Sequence, residues 1–301
     1  MAEREPVFGF GLETGVHEVD ALLRHAEQAD RDGLDLVSLS DHPYFPDRLD
    51  AYAALGVVLG RTRTISGAVN VTNLATRPAP MLARTITSLS ALSGGRIVFG
   101  IGAGGLFTEI AKLGIDVTPA AAVRALEEGI TLVRALSGGG DPVTFEGEFY
   151  RVAGMVPAAA PTPPIWTGSV GPKSLAVTGR RADGWIVPRA DDWLSRRYAE
   201  SRPIIDEAAV SVGRDPSEIA TIYNMTGRIT DAPLPATRDD SGRWVGGSVE
   251  QWVEELTTAA VDHGAAAFIY HPTSDGTPRD VALGRWAREV VPAVRKAIGQ
   301  A

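Results

Sequence analysis

The chain has 301 residues, 44% of them hydrophobic, no cysteine and a formal charge of −8. That composition is enough for a large buried core in one α/β domain or two smaller ones, and it excludes disulfides, thiolate metal sites and a cysteine nucleophile. The acidic balance, with lysine only at Lys112, Lys173 and Lys296, argues against nucleic acid or an anionic membrane surface as the main partner.

The charged start Met1 to Glu5 leads directly into an apolar strand and lacks the apolar segment of a secretory signal. No eighteen apolar residues run together, so no membrane span is expected and the expected location is cytoplasmic. Short apolar strands then alternate with helical stretches, the pattern of βα units around a parallel sheet. VFGFGLE is followed by a helix over 16–32, in which Val19, Leu22, Leu23, Ala26 and Ala29 recur at helical spacing. LDLVSLS precedes a helix over 51–60, and TISGAVNV one over 81–92. RIVFGIG is a continuous apolar run of the kind expected when both faces are buried, and its helix spans 119–136.

An insertion at about 138–162 follows, in which VTFEGEFYRV reads as a hairpin turning at Glu146-Gly147. PIWTG opens the fifth unit, DGWIVP the sixth with a helix near 192–212, and EIATIYNM the seventh. A second insertion at about 226–247 is rich in Asp, Pro and Gly, has no clear period and reads as a loop. Ser248 is placed to cap a helix over 249–263, with Gln251 at the third helical position as in a capping box. AAFIYH is the eighth strand, and a helix over 279–298 ends the chain. Eight units with two insertions predict a (β/α)8 TIM barrel. The alternative, an open doubly wound sheet, lacks a Gly-rich dinucleotide fingerprint after the first strand.

In such a barrel, function lies at the C-terminal strand ends. Those positions carry Asp41-His42, Asn70-Val71-Thr72-Asn73, Gly102-Ala103-Gly104-Gly105, Gly168-Ser169-Val170-Gly171-Pro172, Pro188-Arg189, Tyr223-Asn224 and His271. Carboxylates are few, and Asp41, His42 and His271 lack metal-ligand spacing, so no metal is expected. The two glycine clusters would let bare backbone N–H groups approach a phosphate, or they simply make tight βα turns. Asp41 either caps a turn that Pro43 ends, or it serves His42, the side chain best suited to exchange protons near neutral pH.

The stretches SLSDHPYF, VNVTNLATRPAPMLARTITSLSALSGGRIVFGIGAGG, RALEEGITLVRAL and PPIWTGSVGPKSLAVTGRRADGWI occur in this order over nearly the whole chain. Together they resemble the bacterial luciferase-like monooxygenase superfamily. The resemblance implies a (β/α)8 barrel, usually dimeric, that binds flavin mononucleotide (FMN) or the deazaflavin coenzyme F420 at its C-terminal mouth. From the deazaflavin branch it implies that Asp41 and His42 face the cofactor, with His42 as the catalytic proton donor. It also implies a strand-three bulge with a non-proline cis peptide at Asn70-Val71, with Thr72 and Asn73 on the same side of the ring. Gly102, Ala103, Gly104 and Gly105, with Gly168, Val170, Gly171 and Pro172, would hold the phosphate region, and Thr167 and Ser169 would add hydroxyls. Two departures stand out: Gly105-Leu106 replaces an aromatic common in relatives, and Glu109 lies too far into a helix to match the acid of sugar-phosphate dehydrogenases.

The expectation is therefore an F420-dependent oxidoreductase moving hydride between the deazaflavin ring and a C=C, C=O or C=N bond of a small organic molecule. Tyr223, Asn224 and His271 are the expected substrate contacts and Trp244 part of a lid. The alternatives are an FMN-dependent monooxygenase served by oxygen and a partner reductase, and a non-catalytic flavin-binding protein. A homodimer is expected, and neither nucleic acid nor membrane is expected as partner.

Overall fold

The computed structural model describes residues 5–188 and 195–299. Eight parallel strands close a barrel: β1 (Val7–Gly11), β2 (Leu36–Leu39), β3 (Ser66–Val69), β5 (Ile97–Gly102), β8 (Ile165–Thr167), β9 (Gly184–Val187), β10 (Ala220–Thr230) and β12 (Ala265–Pro272). The pairing of β12 with β1, in register from Val7↔Ala267 to Phe10↔Tyr270, completes the ring. The helices packed between them are α1 (Val19–Arg31), α2 (Ala51–Arg61), α3 (Ala79–Ser93), the short α4 (Phe107–Ala111), α5 (Pro119–Ala135), α6 (Pro172–Arg181), α7 (Arg196–Val210), α8 (Val249–Val261), α9 (Arg279–Arg285) and α10 (Val291–Ile298).

Strand alternation divides the apolar residues into two cores. Leu36, Ala68, Trp166, Ile186, Ile222, Ala267 and Ile269 fill the barrel interior, while their neighbours, such as Val37, Phe99, Trp185, Tyr223 and Phe268, pack outward against the helices. Burial on both faces is why these strands read as unbroken apolar runs. Local chemistry sets the helix ends. Asp50 caps α2 by accepting from the Tyr52 and Ala53 amides at 3.0 and 2.9 Å, Thr118 caps α5 ahead of Pro119, and Ser248 with Gln251 forms the expected capping box on α8.

The third strand carries the expected bulge, and the structure departs from the sequence reading in four other places. The bulge interrupts the strand: after β3 the chain makes a cis peptide between Asn70 and Val71, then resumes as β4 (Thr72–Asn73) beside β5. The helix α4 fills part of what reads as a loop after β5. In the first insertion, β6 (Val143–Glu146) and β7 (Arg151–Met155) pair Glu146 with Arg151, so the turn is centred later, over 147–150.

The second insertion is not a loop throughout. Residues 226–230 continue β10, and β11 (Gly246–Ser248) pairs with them in parallel, leaving 231–245 as the excursion. Glycine permits this pairing: Gly246 has φ +112°, and a Cβ there would lie 2.1 Å from the Arg228 carbonyl oxygen. The terminal helix is continuous only through a π-turn at Trp286–Val290, just before Pro292, whose ring and missing N–H disturb the regular ladder. Arg189, and the first residues of the helix expected near 192–212, lie outside the described residues; the helix is described from Arg196.

Candidate active site

A cavity of about 830 Å³ opens at the C-terminal ends of β2, β4, β5 and β8. It brings together Asp41, His42, Asn70, Val71, Thr72, Asn73, Gly102, Ala103, Gly104, Gly105, Gly168, Val170, Gly171 and Pro172. Ser40, Tyr44, Leu106, Phe107, Pro119, Ala120, Val123, Lys173 and Ser174 also line it.

Its shape follows from one valine set among glycines. The turn at Asn70-Val71 puts the Val71 side chain against β5 and β8, where a Cβ on Gly102 or on Gly168 would approach it to 3.0 Å. Gly104 has φ +111°, and a Cβ there would lie 2.9 Å from Asn73 Oδ1. That oxygen is buried and makes no hydrogen bond, so the wall carries an unused acceptor. Added Cβ atoms at Gly105 and Gly171 would meet nothing within 4 Å. These glycines leave space rather than fit a close contact. Leu106 follows in the left-handed region (φ 53°, ψ 48°), where a branched side chain is uncommon, and stands half-exposed at the cavity mouth.

The acid-histidine pair is divided between two tasks. The Asp41 side chain is fully buried. Oδ2 accepts from the Asn73 amide at 3.1 Å and from Arg77 Nε at 3.3 Å, and Oδ1 accepts from Arg77 Nη2 at 2.9 Å. His42 faces the cavity with Nδ1 2.8 Å from the Tyr44 hydroxyl, and Phe45 packs beside both rings. Burial pushes the imidazole below its ordinary pKa, reinforced by Arg48 and opposed by the Asp41 charge. The His42 ring is therefore neutral at neutral pH. Either tautomer makes this bond; with Nδ1–H donating to the Tyr44 hydroxyl, Nε2 is left free to accept a proton. Burial raises the Tyr44 phenol, so it stays protonated over the same range.

Six of the residues expected at the site lie elsewhere or beside it. Thr167 and Ser169 are buried behind the wall: Thr167 Oγ1 lies 2.6 Å from Thr178 Oγ1, which also donates to Ser169 Oγ at 2.9 Å, joining β8 to α6. Tyr223 is outside the barrel, packed against Tyr198 and Phe268, because it neighbours the inward Ile222 on β10. Trp244 does not line the cavity; it is 3% exposed, with its ring 5.0 Å from Trp252. His271 does point into the barrel mouth, on the opposite side from the cavity lining. Its ring occupies the place of a Cβ on Gly11, and burial, with the Arg279 charge, pushes its pKa down to about 4. Asn224 is the link between the two sides, accepting from Asn70 Nδ2 at 2.7 Å.

Arg77, Tyr44 and Lys173 were present in the quoted stretches without a pattern that assigned them. Leu106, Phe107 and Val123 meet the cavity only because α4 and α5 fold across it. Glu109, half-buried on α4, pairs with the exposed Lys112 at 2.7 Å, and its charge helps hold the Tyr44 phenol protonated. Among the described residues, no three of His, Cys, Asp and Glu gather as metal ligands, and no helix is long and apolar enough to cross a membrane.

A parallel eight-stranded barrel thus carries, at the C-terminal ends of its strands, a glycine-walled cavity of cofactor size with a histidine at its rim. The luciferase-like monooxygenase family matches residues 7–266, and the chain belongs to that family. It is 30% identical over 199 residues to a 5,10-methylenetetrahydromethanopterin reductase of Methanolobus tindarius, covering 66% of this chain and 58% of the relative. Over 240 residues it is 28% identical to an F420-dependent hydroxymycolic acid dehydrogenase of Mycobacterium tuberculosis, covering 77% of this chain and 65% of the relative. The chain thus aligns with less than two thirds of the length of either relative. In fold it is similar to the coenzyme F420 dependent tetrahydromethanopterin reductase of Methanopyrus kandleri, with TM-score 0.77 at 18% identity over 96% of this chain and 99% of that one.

Proposed function

We propose that this protein is an F420-dependent oxidoreductase that moves a hydride between the deazaflavin ring and a C=C, C=O or C=N bond of a small organic substrate. The observation that carries the reading is a single cavity joining His42, the Asn70-Val71 turn and two glycine clusters. Relatives named as F420-dependent enzymes support it.

The residues present fit such a cofactor. The unused Asn73 Oδ1 beside Gly104 offers an acceptor, and Gly102, Gly104 and Gly168 leave the wall without side chains. The first turn of α6, entered through Gly171 and Pro172, offers backbone N–H groups and the Lys173 charge to a phosphate. Bound there, F420 supplies a two-electron hydride carrier. The chain's own part is orientation and proton exchange. Neutral His42 accepts a proton from a substrate hydroxyl in the oxidation direction, and it must be protonated first to act as an acid in reduction. Asn224 and His271, on the inner mouth, are the proposed substrate contacts.

A homodimer and a cytoplasmic location belong to the same proposal; the exposed Val57 on α2 and Met81 and Leu92 on α3 support an apolar contact between copies. Sedimentation of the purified protein tests the dimer. The function is tested by titrating it with oxidised F420 and with FMN, following quenching of cofactor fluorescence. Saturable binding of F420 alone is expected. Binding of FMN alone would overturn the reading in favour of an FMN-dependent monooxygenase.

A further inference from the structure

Arg77 lies behind the cavity wall and connects three elements. Its guanidinium reaches both oxygens of Asp41 at the end of β2 and, through Nη2, Asp50 Oδ2 at 2.8 Å at the start of α2. It also lies over the Tyr52 ring, 5.0 Å from the centroid, and the Tyr52 hydroxyl meets Thr72 Oγ1 on β4 at 2.5 Å. The Asp41 side chain is fully buried and that of Arg77 only 22% exposed, so this contact is largely shielded from water.

We propose that Arg77 is the positioning residue for His42: it locks the Asp41-His42 turn against β4 and offsets the one fully buried carboxylate beside the imidazole. This inference rests on the reading of His42 as the proton-exchanging group. The groups that face His42 are Asp41, the Tyr44 hydroxyl and Arg48; those that face Asp41 are Arg77 and, across it, Asp50 and Tyr52. Within this set Arg77 alone binds Asp41 through a charge. A guanidinium suits the position because its planar fork serves two carboxylates while stacking on a ring, which an ammonium does not do. Without it, the Asp41 charge would act on the imidazole opposed only by Arg48 and by burial, and would favour its protonated form more strongly.

The test is an NMR titration of histidine-labelled protein, with the His42 resonance assigned by His42→Asn, which needs neither cofactor nor substrate. In Arg77→Gln the His42 midpoint is expected to rise by roughly half to one pH unit, a three- to tenfold gain in proton affinity. Arg77→Lys, which keeps the charge, is expected to return most of that shift, and the acid limb of kcat should follow the same order. An unchanged midpoint in a folded Arg77→Gln protein overturns the proposal. Should that variant not fold, Asp41→Asn gives the opposite sign: a lowered His42 midpoint supports the coupling, and an unchanged or raised one overturns it. If the midpoints move as expected while His42→Ala keeps full turnover, the coupling stands and the catalytic role of His42 falls.

Discussion

The two halves of the barrel mouth solve the same packing problem in opposite ways. From β2 to β8 the strand ends carry glycines at 102, 104, 105, 168 and 171, and a cavity of about 830 Å³ remains. Outside β10 and β12 the corresponding region is filled by Trp244, Trp252, Tyr270 and Trp286, with ring centroids 4.9 to 5.7 Å apart. Side chains left out on one side make room for a ligand, and large rings on the other provide burial. A substitution in the first half should therefore alter function at little cost in stability, and one in the second half the reverse.

The largest effect tests the functional half. His42→Ala is expected to lower turnover by roughly two to four powers of ten while F420 affinity changes little, as read from steady-state rates beside the fluorescence titration. Equal losses in both would make His42 chiefly a cofactor ligand. Trp244→Ala tests the other half: truncating a core tryptophan costs about 3–5 kcal/mol, seen as a lowered denaturant midpoint, with F420 affinity retained in the folded fraction. Weakened F420 binding with unchanged stability would instead support Trp244 as part of a lid.

Gly104→Val is the exception in the first half, because it strains the backbone as well. The left-handed conformation and the 2.9 Å approach to Asn73 Oδ1 oppose a side chain on the cavity wall, so F420 affinity is expected to fall at least tenfold, roughly 1.4 kcal/mol, in the same titration, beside a lowered denaturant midpoint. Acid provides a probe of the inner mouth. His271 titrates near 4 in the folded protein against 6.5 ordinarily, so the unfolded chain binds the extra proton between those values. Its contribution is complete above pH 6.5 and is lost as pH falls toward 4, by at most about 3 kcal/mol. Denaturant melts of His271→Asn should show a correspondingly smaller acid loss. The smallest effect is expected from Glu109→Gln, close to the cavity but paired only with exposed Lys112: within about 0.5 kcal/mol in stability, with kcat unchanged.

Periodicity and local chemistry carried most of the architecture. Eight apolar runs, each followed by a helical stretch, were enough for the barrel, because burial on both faces makes parallel strands apolar without a break. Ser248 with Gln251 identified a helix start because a cap acts within four residues. The same locality explains why the strand ends were legible as a ring of polar and glycine residues; the cis peptide at Asn70-Val71 was expected through the family resemblance alone.

Other features depended on partners distant in the chain. Asp41 and Arg77 are 36 residues apart, and Asn70 and Asn224 are 154 apart, so neither pairing has a spacing to read. Tyr223 and Asn224 are neighbours in sequence, yet the two-residue period of β10 sends one into the outer core and the other to the mouth; only the register of the closed sheet settles which. Trp244 lay in a segment without periodicity, and its fate was decided by burial against Trp252 once β11 paired with β10. Short-range order is written in neighbouring residues, whereas the walls of a cavity are set by contacts that form only when the barrel closes.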